Sequence, residues 1–208
     1  MRLDEARKDV YRRLAREQGF KSRAAFKLIE ANEKYEFISE GDYVIDFGAA
    51  PGGWLQVCSR LVGPRGLAVG VDLSEIRLKE KNVKALKLDV NDPRTVELVW
   101  GITGRRVGIV LSDLSPSVSG VWELDHTRQV DLTLRVLELS DSLLWSGGSA
   151  FLKAFEGERS REVRDAFRKR FKSVRPFKPL ASRSASSELY YFCEGWRPAS
   201  GTGTGSEP

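Results

Sequence analysis

Short runs of β-branched and aliphatic residues alternate with amphipathic segments along most of this chain, and no other feature constrains its fold as tightly. Tyr43–Phe47, Leu67–Leu73, Val83–Leu88, Val107–Leu111, Ala150–Phe155 and Leu189–Cys193 predict strands. Residues 53–62, 93–100, 127–145 and 159–171 predict helices between them. Such alternation gives an α/β fold with a mostly parallel sheet, since each parallel crossover is long enough to hold a helix. Helices then cover both faces. The 127–145 helix has a wide apolar face and is expected to stop at Gly147-Gly148, just before the strand that holds Lys153. The last strand is expected to form an antiparallel hairpin near the sheet edge.

Ahead of the alternation, residues 3–18 and 22–34 read as two helices broken at Gly19, with Ser22 as N-cap of the second. Residues 197–208, rich in Gly, Ser and Thr, read as a disordered tail. The organisation expected is a basic helical extension (1–34) packed on the domain, an α/β domain (35–196) and the tail (197–208). A length of 208 residues suits one such domain.

No apolar run approaches the roughly 20 residues of a membrane helix. The charged N-terminus lacks the apolar stretch of a signal peptide. A soluble, cytoplasmic monomer is expected. Cys58 and Cys193 lie in apolar patterns without metal-ligand spacing, and His126 is the single histidine, so buried free thiols and no metal site are expected. His126, beside Asp125, reads as a surface residue. The net charge of +5 is clustered: nine Lys and Arg fall between Arg2 and Lys27, and ten between Arg159 and Arg183. Two basic regions on a small domain suit a polyanion such as RNA. Asp4, Glu5, Asp9 and Glu17 partly offset the first cluster, so on charge alone a solvated helix face is an equal reading.

The strongest local motif is Val44-Ile45-Asp46-Phe47-Gly48-Ala49-Ala50-Pro51-Gly52-Gly53-Trp54. An apolar strand passes through a glycine-rich turn into a helix, whose free N-terminal N–H groups suit an anion. Gly48, Gly52 and Gly53 would let the backbone approach a ligand closely. Asp72 ends the second strand about 20 residues on, where a carboxylate can accept both hydroxyls of an adenosine ribose. Asp89, ending the third strand, could take the adenine amino group. Nicotinamide dehydrogenases use the same logic, but this loop is not Gly-x-Gly-x-x-Gly; Asp46 and the Ala-Pro-Gly-Gly-Trp run fit S-adenosylmethionine loops better.

Ser112-Asp113-Leu114-Ser115-Pro116 follows the fourth strand, where an open α/β sheet places its ligand crevice. Lys153 is a charge inside the apolar run Phe151-Leu152-Lys153-Ala154-Phe155. Alone, it reads most simply as an edge lysine reaching solvent, and Lys27 and Glu188 are equally ordinary.

Together these residues resemble the RrmJ/FtsJ family of RNA 2′-O-ribose methyltransferases. The match runs from Ser22-Arg23-Ala24-Ala25-Phe26-Lys27-Leu28 through Asp46–Trp54, Ser112–Gly120 and Phe151–Gly157 to Ser187-Glu188-Leu189-Tyr190, about four fifths of the chain. The resemblance implies a Rossmann-like methyltransferase with a seven-stranded sheet and a catalytic tetrad of Lys27, Asp113, Lys153 and Glu188. It implies S-adenosylmethionine bound by the loop residues Asp46, Gly48, Ala50, Pro51, Gly52, Gly53 and Trp54, with Asp72, Asp89 and Asp113. The compact form resembles the branch acting on a uridine of large-subunit (23S) ribosomal RNA. Relatives acting on tRNA or mRNA caps carry the same tetrad, and a non-catalytic RNA-binding module on this fold is the alternative of a different class.

A ribose 2′-hydroxyl is a weak nucleophile, so an enzyme must align it with the activated methyl and help its proton leave. A free lysine, with pKa about 10.4, is a poor base near neutrality; burial and a neighbouring cation such as Lys27 would lower it toward ~7–8. Asp113 and Glu188 oppose that shift. Lys153 either removes the proton or stays charged and stabilises the developing alkoxide.

Overall fold

The computed structural model describes residues 2–182 and 187–198, with side chains from Val10 onward. In chain order the elements are α1 (Arg2–Glu17), α2 (Ala25–Tyr35), β1 (Tyr43–Phe47), α3 (Gly53–Val62), β2 (Leu67–Asp72), β3 (Val83–Lys87), α4 (Thr95–Thr103), β4 (Val107–Ser112), α5 (Trp122–Leu143), β5 (Leu144–Phe155), α6 (Ser160–Arg170), β6 (Phe171–Phe177) and β7 (Glu188–Trp196). The strands form one seven-stranded sheet in the order β3-β2-β1-β4-β5-β7-β6. β1 to β5 pair in parallel, and β7 runs antiparallel to both β5 and β6.

Two cores flank the sheet. Val99, Val130, Val136, Leu139, Val163 and Phe167 from α4, α5 and α6 pack with Ile45, Phe47 and Val110. Leu28 and Ala31 of α2 and Leu55 and Cys58 of α3 pack with Val44, Ile109 and Phe151. Alternate residues of β1 thus enter opposite cores, which is why its sequence is apolar apart from Asp46. Ala15 and Phe20 belong to the second core, so from Ala15 onward the N-terminal segment is packed on the sheet. Cys58 and Cys193 are both buried and free, as their apolar settings predict.

The strand order reverses between β2-β1 and β4-β5, and an open α/β sheet has its crevice at such a switch, at the carboxyl ends of the strands. Asp46 near the end of β1 and Asp113 after β4 meet there. The two strands stay in register to their last residues, Phe47 and Ser112, and Asp113 N–H donates to the Phe47 carbonyl at 3.1 Å.

Several expectations are corrected. β6 carries no strong strand signal: Lys172, Arg175 and Pro176 interrupt its apolar residues. An edge strand tolerates all three, since one side of its backbone has no ladder to complete. With β6 at the edge, β7 lies one strand in, antiparallel to both neighbours, so the antiparallel pairing expected near the edge forms. α5 begins at Trp122, five residues earlier than expected, and ends at Leu143; Gly147 and Gly148 lie inside β5, where its register with β4 shifts. Ser22 does not cap α2 through its side chain; Ala24 holds the N-cap position, and the Ala25 N–H reaches the Ser22 carbonyl at 3.3 Å. His126 is buried, not superficial. Arg197, assigned to the tail, donates its backbone N–H to Arg170 and its guanidinium to the Phe171 and Arg168 carbonyls. The rest of the tail from residue 199, together with Arg183, lies outside the described residues.

Candidate active site

Four elements bring Lys27, Asp113, Lys153 and Glu188 to one point. α2 supplies Lys27, the turn after β4 supplies Asp113, and the paired strands β5 and β7 supply Lys153 and Glu188. Both lysines are buried, 7% and 5% exposed, so neither escapes to solvent. Lys27 Nζ lies 2.8 Å from Glu188 Oε1 and 3.8 Å from Asp113 Oδ2. Lys153 Nζ lies 3.3 Å from Asp113 Oδ1 and 3.5 Å from Glu188 Oε2, and it donates to Ser115 Oγ. Two ammonium groups and two carboxylates balance in charge, and each is held by polar partners, which burial of charge requires.

Sequence reasoning missed three members of the cluster. The Tyr190 hydroxyl accepts from Lys27 Nζ at 2.8 Å and donates to Asp113 Oδ1 at 2.5 Å. Ser182 donates to Glu188 Oε1 at 2.7 Å, and Ser115 is the third oxygen facing Lys153. Tyr190 stands two residues after Glu188 on one strand, and a period of two puts both side chains on the same face, so a signal existed. Ser115 lies in the turn after β4, where no such period applies. Nothing in the sequence marks Ser182.

Electrostatics follow the contacts. Burial pushes the Glu188 carboxyl up, but Lys27 and Lys153, with hydrogen bonds from Lys27 and Ser182, prevail and hold it at about 2. Burial, then the charges of Asp113 and Glu188, raise the Tyr190 phenol well above its usual range, so it remains a donor.

The glycine-rich turn is tied down chiefly by protein contacts. Gly48 has φ +80°, and a Cβ there would sit 2.7 Å from the Leu114 amide nitrogen. Its bareness therefore serves the packing of this turn against the Asp113–Leu114 backbone. A Cβ on Gly53 would meet Ser22 Oγ at 2.4 Å, so α3 starts pressed against the chain leading into α2. Gly52 has φ +108° and faces Leu78. The Ala50 N–H donates to Asp72 Oδ2 at 3.0 Å, Ser74 N–H donates to Asp72 Oδ1 at 2.7 Å, and Pro51 is exposed. Trp54 acts as a strut: it is buried, its indole N–H donates to the Ala24 carbonyl at 2.7 Å, and its ring packs on Phe151 and Tyr190. Asp89 is exposed and accepts from the Asn91 backbone N–H at 2.8 Å.

Asp46 stands apart from these satisfied groups. It is 1% exposed, and neither carboxylate oxygen has a hydrogen-bond partner. Burial, then Asp113 and Asp72, push its carboxyl well above the ordinary range. A buried carboxylate without a partner costs stability, and a cationic group entering the crevice would relieve that cost. The amino-acid end of S-adenosylmethionine carries such a group, so the residues present fit this cofactor.

Comparison with known proteins agrees with this geometry. Residues 20–196 match the model of the FtsJ-like methyltransferase family, starting within the segment expected to be an extension. The chain is 45% identical over 196 residues to the ribosomal RNA large subunit methyltransferase E of Nitrosopumilus maritimus, covering 94% of this chain and 99% of that protein. It is 43% identical to the enzyme of the same name from Cenarchaeum symbiosum, covering 95% and 100%. Among solved structures, a ribosomal RNA methyltransferase described from Plasmodium falciparum superposes with a TM-score of 0.75 at 24% identity, covering 85% of this chain and 98% of that one. Aeropyrum pernix fibrillarin in complex with S-adenosylmethionine gives 0.56 at 15% identity, covering 76% and 68%. At those identities the two structures show the shared fold alone. The family match and the archaeal relatives, spanning nearly the whole chain, show that it belongs to the FtsJ-like methyltransferases, which use S-adenosylmethionine as methyl donor.

Proposed function

We propose that this enzyme methylates a ribose 2′-hydroxyl of large-subunit ribosomal RNA, at a uridine, with Lys27, Asp113, Lys153 and Glu188 as its catalytic group. The observation that carries the reading is the convergence of these four residues at the strand-order switch, where both lysines contact both carboxylates and the charge of Asp113 reaches the orphaned Asp46. The relatives' names supply the RNA class.

In this reading Asp46, the 48–54 turn, Asp72 and Asp89 hold the cofactor, which supplies an electrophilic methyl group on a sulfonium. Lys153 binds the 2′-oxygen. Its ammonium faces oxygens of Ser115, Asp113 and Glu188, an arrangement of a donor held in place. That favours its role as the charge that stabilises the developing alkoxide over removal of the proton. Lys27 and Tyr190 fix the carboxylates that aim Lys153.

Arg12, Arg16, Lys21 and Arg23 line an open cavity of about 610 Å³ at the corner between α1 and α2, and we read it as a phosphate grip. In the second basic region, Arg159, Arg161, Arg168, Arg170 and Arg175 are each ion-paired with carboxylates. Residues 1–34 then serve as an RNA-facing segment packed on the catalytic domain. With this reading go a monomer and a cytoplasmic location; no helix among the described residues is long and apolar enough to cross a membrane.

Ribose-methylation mapping of RNA from cells lacking the protein tests the proposal. One large-subunit uridine should lose its 2′-O-methyl group, and an unchanged large-subunit map would refute it. RNA affinity should fall steeply between about 50 and 200 mM salt if phosphates are gripped at the α1–α2 corner.

A further inference from the structure

Trp122 opens α5 with 45% of its surface exposed, beside the exposed apolar side chains of Val121 and Leu124. Its neighbours hold the ring still without covering it. The Asp125 carboxylate accepts from the Ser119 N–H at 2.8 Å, from Ser119 Oγ at 2.7 Å and from the Gly120 N–H at 3.3 Å, tying the turn before Trp122 to the first turn of α5. The buried His126 ring lies nearly parallel to the indole, at 24° and 5.7 Å between centroids. His126 is itself fixed: its Nε2 accepts from the Arg159 N–H at 3.1 Å, and a Cβ on Gly157 would come within 2.6 Å of the imidazole.

The indole also lies nearly parallel to Phe155, at 16° and 5.9 Å. Phe155 follows Lys153 by two residues on β5, and Lys153 Nζ is 5.8 Å from the centre of its ring. One aromatic ring thus separates the amine of the reacting centre from a rigid, half-open indole.

We propose that Trp122 is a stacking platform for a nucleobase adjoining the ribose to be methylated. The inference rests on the reading of the Lys153 cluster as an RNA 2′-O-methylation site. From Lys153 the indole lies beyond the Phe155 ring, two contacts of 5.8 and 5.9 Å away, within the reach of a base neighbouring a ribose held at Lys153. Single-stranded RNA is commonly held by bases stacked on aromatic side chains. Charge points the same way. Glu123 follows Trp122 and Glu156 follows Phe155, and the guanidinium of Arg159 beside His126 is held by Glu162 and Asp131, which leaves the π face as the attraction the patch offers. Phosphates have their own partners at the α1–α2 corner. The RNA is therefore held by its backbone at one place and by a base at another.

The test measures binding of two probes in the presence of S-adenosylmethionine: a short uridine RNA oligonucleotide and the same strand with its bases removed. Wild-type protein should prefer the uridine strand. Trp122→Ala and Trp122→Leu should bind it roughly 5- to 150-fold more weakly, the range expected for one lost base–aromatic stack, and bind the abasic strand unchanged. Trp122→Phe should keep most of the preference. The leucine variant retains an apolar cover over Phe155, so the comparison stands even if the alanine variant folds poorly. Unchanged binding of both strands by the variants would overturn the proposal and assign the apolar patch to a protein contact. Equal loss on both strands would overturn it too, leaving Trp122 a structural prop. These assays read no methyl transfer, so their failure leaves the proposed reaction standing, and a failed reaction leaves their result readable.

Discussion

Lys153 and Tyr190 stand opposite each other in the register of β5 and β7, and both reach the same oxygen of Asp113, at 3.3 Å and 2.5 Å. Antiparallel pairing at this one place brings a lysine and a tyrosine from distant parts of the chain onto one carboxylate. The phenol also accepts from Lys27, so its hydroxyl bridges Lys27 to Asp113, while Lys153 reaches that carboxylate directly. Phe151 stacks on the Tyr190 ring at 4.8 Å and 10°, which keeps that hydroxyl in position.

Tyr190→Phe keeps the ring and removes this connection. Hydrogen bonds to charged groups contribute about 1.5–3 kcal/mol, and a loss of that size is expected in denaturant unfolding. The turnover rate should fall while cofactor affinity holds. An unchanged unfolding midpoint would show that the hydroxyl carries no energy.

Asp46→Asn is expected to act with opposite signs on stability and binding. The folded-state pKa of Asp46 is raised, so its cost is absent at low pH and sets in as pH rises past the ordinary carboxylate value of about 3.9. At neutral pH the ligand-free variant should be more stable, with a rise of ~2–4 °C in Tm for each 1 kcal/mol gained. Cofactor binding should weaken. Calorimetry on the two proteins across pH, with and without S-adenosylmethionine, reads both effects, and a less stable ligand-free variant would contradict the account of Asp46.

Glu188 gives the opposite pH signature. Its folded pKa is about 2 against an ordinary 4.5, so its stabilisation is complete above pH 4.5 and is lost as pH falls toward 2. Glu188→Gln should flatten that part of the stability curve. Near neutrality it should cost about 3–5 kcal/mol, because two buried ammonium groups lose a shared partner. Identical acid limbs in the two proteins would show that the ion pairs do not form.

Gly48→Ala tests the turn. Left-handed backbone costs an L-residue roughly 1–2 kcal/mol, and the new methyl would sit against the Leu114 backbone, which has no flexible end to move aside. A fall in stability of at least about 2 kcal/mol is expected. A neutral substitution would mean that the β1 and β4 turns separate easily.

Much of this was legible because periodicity reports burial. The parallel strands are covered on both faces, so Val107–Leu111 reads as an unbroken apolar run and Val44–Phe47 as one interrupted only by Asp46, and the order of Lys27, Asp113, Lys153 and Glu188 could be matched to a family. Edges and turns were harder. β6 gains its stability from pairing with β7 and from the contact of Phe171 with Trp196, not from its own pattern, and Pro176 and Arg175 conceal it. Gly147 and Gly148 carry the signal of a helix stop, yet they lie in a bulged strand whose pairing with β4 is a long-range fact. Tyr190 was hidden for another reason: a tyrosine in an apolar strand looks like core, and its hydroxyl gains meaning only when Lys27 and Asp113 are brought to it.

The most direct test of the central claim is methyl transfer by Lys153→Ala, measured on large-subunit RNA from cells lacking the enzyme, alongside S-adenosylmethionine affinity. The account predicts loss of transfer with the cofactor still bound, because Lys153 serves the ribose oxygen while Asp46, Asp72 and the 48–54 turn serve the cofactor. Full turnover by the variant on that RNA would contradict it.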